Sequence, residues 1–172
     1  MKPPTFRYSR LICTFHWLTA ALVLLAYLTS DGGARVRTQP QTLHVILGLS
    51  VLTLTLSRLL ARFARGVPPP PESTHKRMIR LAHIGHRVIY LLLLAVPVTG
   101  WFTVSRLGLR IELSGHQLPL LTAAVQDDPG LIANIHQVGG NVLLIVAGCH
   151  AAMALWHHFG LRDRSLHRIS PF

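Results

Sequence analysis

Acidic side chains are scarce: six Asp and Glu stand against 17 Lys and Arg in 172 residues, and only 13% of the chain is charged. A soluble domain carries roughly 25% charged residues, so this sequence is not built for a water-facing globular surface. Cysteine is nearly absent as well. Cys13 and Cys149 both fall inside apolar runs, which argues against a disulfide framework and makes them packing residues. There is no glycine-rich phosphate loop, no G-x-S-x-G turn and no Cys-x-x-Cys pair, so nucleotide-dependent, hydrolytic and dithiol chemistry have no motif to rest on. What is abundant is apolar. Half of the residues are hydrophobic, the mean hydropathy is +0.41, and both point to an integral membrane protein.

Uncharged runs at Leu11 to Thr29, Gln41 to Ser57, Val88 to Val104 and Leu131 to His158 approach or exceed the roughly 20 residues that cross a 30 Å hydrocarbon layer. They predict an all-α, integral membrane four-helix bundle in a single domain over 1–172, with spans at about 11–29, 41–60, 83–104 and 131–158. The first run lacks a small-residue cleavage pattern before Asp31 and reads as a retained helix. Ser30-Asp31-Gly32-Gly33 and the four prolines Pro68 to Pro71 break the chain between spans. Before the fourth, Asp128 is expected to act as an N-cap, with Pro129 at the first helical position.

Thirteen basic residues fall on one side of these spans: Lys2, Arg7, Arg10, Arg58, Arg62, Arg65, Lys76, Arg77, Arg80, Arg87, Arg162, Arg164 and Arg168. The other side has Arg35, Arg37, Arg106 and Arg110, offset by Asp31, Glu112, Asp127 and Asp128. The positive-inside bias therefore predicts that both termini are cytoplasmic. The net charge of +11 then follows from topology and anionic lipid, not from nucleic acid, which is not expected as a partner. Arg106 and Arg110 are two outer-side cations that would steer a small anion, though the neighbouring acids weaken that field.

Eleven histidines are the anomaly, because ionisable groups within a bilayer are costly and usually functional. His136 and His150 are 14 residues apart, which is about 40° short of four full helical turns and roughly 21 Å along the axis. They share one face at two depths. His44, opening the second span, is level with His136; His16, near the start of the first, is level with His150. Two facing imidazoles are what a six-coordinate haem iron needs, since the porphyrin supplies the four equatorial nitrogens. Small residues one turn away leave room for a porphyrin: Gly48, Gly139, Gly140, Ala20 and Ala154. The same residues would also serve plain helix packing. With no Cys-x-x-Cys-His, the expected cofactors are two noncovalent haem b groups, at His16/His150 and His44/His136.

His83 and His86 open the third span and compete for a partner role in the inner pair; with Arg87, they also suit an interfacial cluster near propionates or a quinone head. His157 lies about two turns beyond His150 and is a candidate to hydrogen-bond a quinone carbonyl, with ubiquinone as substrate. Arg10 and Arg58 are candidates to pair with haem propionates, although the positive-inside bias alone also explains them. His75, His116 and His167 read as solvent-facing.

Tyr8-Ser9-Arg10-Leu11 with His16-Trp17-Leu18, Leu43-His44-Val45 with Gly48, Leu81-Ala82-His83-Ile84-Gly85-His86, Ile135-His136, and His150-Ala151-Ala152 with His157-His158 together resemble the bacterial cytochrome b561 family. The resemblance covers nearly the whole chain and weakens in the outer loop 105–130. It implies a four-helix dihaem b cytochrome of the bacterial inner membrane, with ligands from helices one, two and four that match His16, His44, His136 and His150. It also implies electron exchange with the quinone pool, an outer-face (periplasmic) donor with superoxide as one possibility, and hence a quinone-linked oxidoreductase. Two other readings stay open. One is a haem-bearing anchor that relays electrons for a separate periplasmic redox enzyme; the other is a histidine-lined proton or metal transporter.

Overall fold

The computed structural model describes residues 8–30, 42–66, 76–113, 115–125, 128, 130–161, 166 and 169. Four long helices follow in chain order: α1 (Arg10–Leu28), α2 (Thr42–Arg65), α3 (Lys76–Arg106) and α4 (Gly130–Leu155), the last continued by a π-turn over Trp156–Gly160. Each is long and apolar enough to cross a bilayer. Large apolar side chains such as Leu24, Leu60, Leu91, Leu131 and Ile145 point outward, which suits hydrocarbon and would be costly in water. The expected membrane four-helix bundle is therefore what forms.

The helices differ from the expected spans mainly at their charged ends. α3 begins at Lys76, seven residues before 83, and α2 runs to Arg65, past 60. The extra turns are rich in Arg and Ala, which are good helix formers, and the long Arg and Lys stems keep their charge near the membrane surface. Sequence hydropathy marks where a helix is apolar, not where it stops. α2 closes on Gly66, at φ +73°, whose N–H bonds the Arg62 carbonyl at 3.0 Å; only glycine takes that left-handed turn freely.

α1 packs chiefly on α2 and α3 chiefly on α4, and the bundle is closed by α2 against α3 and α1 against α4. One end carries a loop closed by a short hairpin of β1 (Glu112–Leu113) and β2 (His116–Gln117); it is called the lid end below. The opposite, basic end gathers Arg10, Arg62, Arg65 and the start of α3.

The lid is pinned to α3 by specific bonds. Trp101 Nε1 donates to the Pro119 carbonyl at 2.9 Å, Leu121 N–H donates to Ser105 Oγ at 3.0 Å, and Val125 N–H donates to the Arg106 carbonyl at 2.6 Å. Arg106 donates Nη2 to Asp128 Oδ2 at 2.8 Å and Nε to the Asp128 carbonyl at 3.0 Å. Asp128 Oδ1 accepts from Gly130 N–H at 2.8 Å, a turn just ahead of α4 that holds the helix entry; Gly130 is in the left-handed region at φ +66°, and Pro129, expected at the first helical position, lies outside the described residues. Arg106 is thus a clamp between loop and helix, whereas Arg110 remains exposed.

Eleven positions, one per two turns of each helix, line the interior in three layers. His44, Val51 and Arg58 on α2, His86, Leu93 and Gly100 on α3, and His136, Leu143 and His150 on α4 each step by seven residues, as do His16 and Val23 on α1. A seven-residue step drifts only about 20° around a helix, so one seam faces inward throughout. The middle layer is the dry core: Val51, Leu93 and Leu143 are buried against one another, with Leu22, Val23, Ile89, Leu92 and Val96 packed around them. It separates a lid-end layer holding His44, His136 and Gly100 from a basic-end layer holding His16, His86, His150 and Arg58.

Candidate metal centres

At the lid end, the His44 and His136 rings face each other with centroids 5.9 Å apart and planes at 82°. Both rings are oriented by backbone. His44 Nδ1 lies 2.8 Å from the Ala26 carbonyl oxygen, and His136 Nδ1 lies 2.9 Å from that of Val96. A carbonyl can only accept, so each Nδ1 carries the proton and each Nε2 keeps a lone pair, the tautomer that ligation through Nε2 requires. The Ala26 carbonyl belongs to the last turn of α1, where backbone partners run out, and accepts from His44 alongside the Thr29 hydroxyl at 3.1 Å. Gly100 makes the room: a Cβ there would lie 2.8 Å from His136 Cε1.

At the basic end, His16 and His150 have ring centroids 6.4 Å apart with planes at 80°. His86 stands beside them, its ring 5.1 Å from that of His150, and bonds the Ala82 carbonyl of its own helix. A metal held between two imidazole nitrogens at about 2.0–2.1 Å each sets the ring centres roughly 6.4 Å apart. His16/His150 meets that span and His44/His136 at 5.9 Å is close to it, whereas His86/His150 at 5.1 Å is too tight. The spacing thus favours His16 over His86 as the partner of His150.

The surroundings fit a flat macrocycle. A Cβ added at Gly48 or Gly140, one turn from His44 and His136, would meet nothing within 4 Å, so open space lies beside both imidazoles. Gly139 plays a different part: its Cβ would come 3.1 Å from Val96 Cγ2, making it a close helix contact. Among the described residues, no group of three or more His, Cys, Asp or Glu is placed to bind a bare metal ion. A metal held by two imidazoles takes its other donors from elsewhere, as haem iron takes them from the porphyrin.

The remaining site candidates are spread along the basic end. Arg10 is exposed at the first turn of α1, His83 and Arg87 are exposed on α3, and His157 is half-buried in the π-turn. His86 turns inward to His150, away from the His83 and Arg87 surface. His116 is exposed in β2, while His75 and His167 lie outside the described residues. Sequence reasoning overlooked Gly100 and the interior placement of Arg58; the shared seven-residue step was the signal that would have found both.

Comparison with known proteins agrees with this architecture. The sequence model of the prokaryotic cytochrome b561 family matches residues 7–171. A probable superoxide oxidase, CybB, of Yersinia pestis is 32% identical over 169 residues, covering 96% of each chain. Cytochrome b562 of Cereibacter sphaeroides is 31% identical over 172 residues, covering 94% of each chain. Cytochrome b561 homolog 1 of Escherichia coli K12 is 26% identical over 174 residues, covering 96% of this chain and 97% of its own. Four spanning helices, facing imidazoles at two depths and these end-to-end matches lead to one conclusion: the chain belongs to the prokaryotic cytochrome b561 family, as a multi-pass bacterial membrane b-type cytochrome of electron transport.

Proposed function

We propose that the chain is a single-domain dihaem cytochrome of the bacterial inner membrane, carrying electrons between a periplasmic donor and membrane ubiquinone. In this reading His44 and His136 hold one haem b at the lid end, and His16 and His150 hold the other at the basic end. Both termini are cytoplasmic, so the lid end faces the periplasm. The observation that carries the reading is the depth-matched pairing: two imidazole pairs, each spaced for one metal, on either side of the Val51–Leu93–Leu143 layer. Haem iron, when bound, supplies one-electron redox chemistry.

The protein's own contribution is geometry and dielectric. Ala26 and Val96 carbonyls hold the Nδ1 protons of His44 and His136, which fixes both rings for ligation through Nε2. The apolar middle layer keeps water from the space between the pairs. At the basic end, His157, with the exposed His83 and Arg87, offers imidazole and guanidinium donors beside apolar helix, a surface suited to a quinone head whose tail lies in lipid, whereas His86 is taken up by the contact with His150. Arg10 and Arg58 are assigned to haem propionates. Superoxide is the donor proposed, on the likeness to the Yersinia pestis protein. With Arg106 engaged by Asp128, Arg110 is left as the exposed cation on the lid to attract it.

A pyridine haemochrome assay of purified protein tests the cofactor count, with two haems per chain expected. Reduced protein mixed with a ubiquinone analogue should reoxidise at a rate that saturates with quinone. His157→Ala should slow that step several-fold while leaving both haem spectra intact. One haem per chain would overturn the dihaem reading, and unchanged quinone kinetics in the variant would remove the basic-end quinone site.

A further inference from the structure

Arg58 occupies, on α2, the interior position 14 residues beyond His44, where the basic-end layer has its imidazoles on α1, α3 and α4. Its charge reaches both His16 and His150. The guanidinium carbon lies 5.4 Å from the centre of the Tyr90 ring, and that of Arg62 lies 5.9 Å from the same ring. Contact with an aromatic face offsets part of the cost of burying a cation, yet it leaves the N–H donors unbonded. Arg58 Nε and the Tyr90 hydroxyl are both sealed from solvent, and neither has a hydrogen-bond partner among the described residues.

A guanidinium cannot escape this cost by releasing its proton, so it calls for an anion. None of the four helices offers one, since no Asp or Glu occurs in α1, α2, α3 or α4. The positive-inside bias does not account for the placement either. Arg62 and Arg65, one and two turns closer to the end of α2, already serve that purpose, whereas Arg58 belongs to the interior layer.

We infer that Arg58 and Tyr90 form a binding site for an ionised carboxylate, a propionate of the haem held by His16 and His150, with Arg62 as a second cation beside it. The inference rests on the reading that this pair holds haem, and it adds Tyr90 to the site while separating Arg58 from the exposed Arg10. The guanidinium edge and the phenol hydroxyl supply donors for the two oxygens of a carboxylate. A lipid phosphate offers similar anionic oxygens. The interior position of Arg58, level with His150, favours the propionate.

The test uses the haem-loaded protein in detergent and reads each haem's midpoint potential by spectroelectrochemistry, together with the propionate bending band in resonance Raman spectra. Arg58→Gln removes a positive charge beside the basic-end centre, so its oxidised form gains relative stability. The sharing of an electron between the two centres should move about tenfold toward the lid end, a relative shift of about 59 mV for a one-electron couple. Tyr90→Phe should retain both haems and move the propionate band with a smaller, few-fold change in sharing. If Arg58→Gln loses the haem, Arg58→Lys keeps the charge and should retain it with a displaced band. Protein reconstituted with haem dimethyl ester, which lacks the carboxylates, should show no propionate-band response to Tyr90→Phe and a different potential shift from Arg58→Gln.

An unchanged potential and band in Arg58→Gln and Tyr90→Phe, with two haems bound, would overturn the site. The same shifts persisting in the ester-reconstituted protein, with phospholipid retained in proportion to Arg58, would assign the anion to lipid and also overturn it. A wild-type protein with no haem at His16 and His150 would instead overturn the reading on which the inference stands.

Discussion

The lid-end and basic-end layers stand on the same seven-residue frame and differ in what fixes their imidazoles. At the lid end, two backbone carbonyls orient His44 and His136, and a glycine on α3 leaves space for the ring. At the basic end, α3 presents His86 where the lid end has Gly100, and α2 presents Arg58 where the lid end has His44. One layer is organised by main chain and by an absent side chain, the other by crowding and charge. Ligand position is therefore rigid near the lid, whereas electrostatics have the greater leverage at the opposite end, where a buried charge acts through a low dielectric.

The largest effect expected from this contrast follows removal of a ligand. His44→Ala and His136→Ala should each lose the lid-end haem, and His16→Ala and His150→Ala the basic-end one, leaving about one haem per chain in all four. Low-temperature optical and EPR spectra should group the variants in those two pairs. His86→Ala sharpens the comparison, because its 5.1 Å approach to His150 is too short for a shared metal. It should keep both haems while altering the basic-end spectrum. Grouping of His86→Ala with His150→Ala would make His86 the ligand in place of His16.

A smaller loss should follow the filling of space. Gly100→Ala places a Cβ 2.8 Å from His136 Cε1, a distance at which the ring or the helix must move. Occupancy of the lid-end haem should fall several-fold, or its EPR signal broaden, with the basic-end signal unchanged. Gly48→Ala meets nothing within 4 Å in the protein, so any haem loss there reports contact with the cofactor itself. Equal tolerance at both glycines would show that the lid-end layer is looser than the carbonyl bonds imply.

These two glycines also show how far the sequence could be read. Hydropathy and the 14-residue interval between His136 and His150 were enough for four spans and two depths, because helical periodicity and bilayer thickness act on every residue alike. Gly48 stood out from its place one turn after His44. Gly100 did not: its seven-residue step from His86 and Leu93 marks it as inward, but its role depends on α3 lying against α4, which its own neighbours in sequence do not show. The same is true of His86, whose place beside His83 and Arg87 suited an interfacial cluster as well as the inner pair, and which the bundle turns inward to His150. Arg106 looked like free positive charge because its partner, Asp128, is 22 residues away across a loop.

That clamp carries the smallest expected effect and contrasts the lid with the haem layer beneath it. The Asp128 carboxyl is held below its ordinary value of 3.8 by the hydrogen bond from Arg106, and secondarily by the Gly130 N–H. A carboxylate lowered in this way contributes its stabilisation above the unfolded value and loses it as pH falls through the folded one. The lid should therefore stay closed at neutral and mildly acidic pH and loosen only below about pH 3.8. Hydrogen exchange at the Leu121 and Val125 amides, which bond Ser105 Oγ and the Arg106 carbonyl, gives the direct reading. Arg106→Ala should speed exchange at Val125 several-fold at neutral pH, with little change in either haem spectrum. Acid should then add little further exchange in the variant, since its Asp128 has lost the partner whose release the acid would cause. The pair is exposed and screened by salt, so the effect should shrink in high salt. A loss of lid-end haem on Arg106→Ala would mean that the loop and the His44/His136 layer form one cooperative unit.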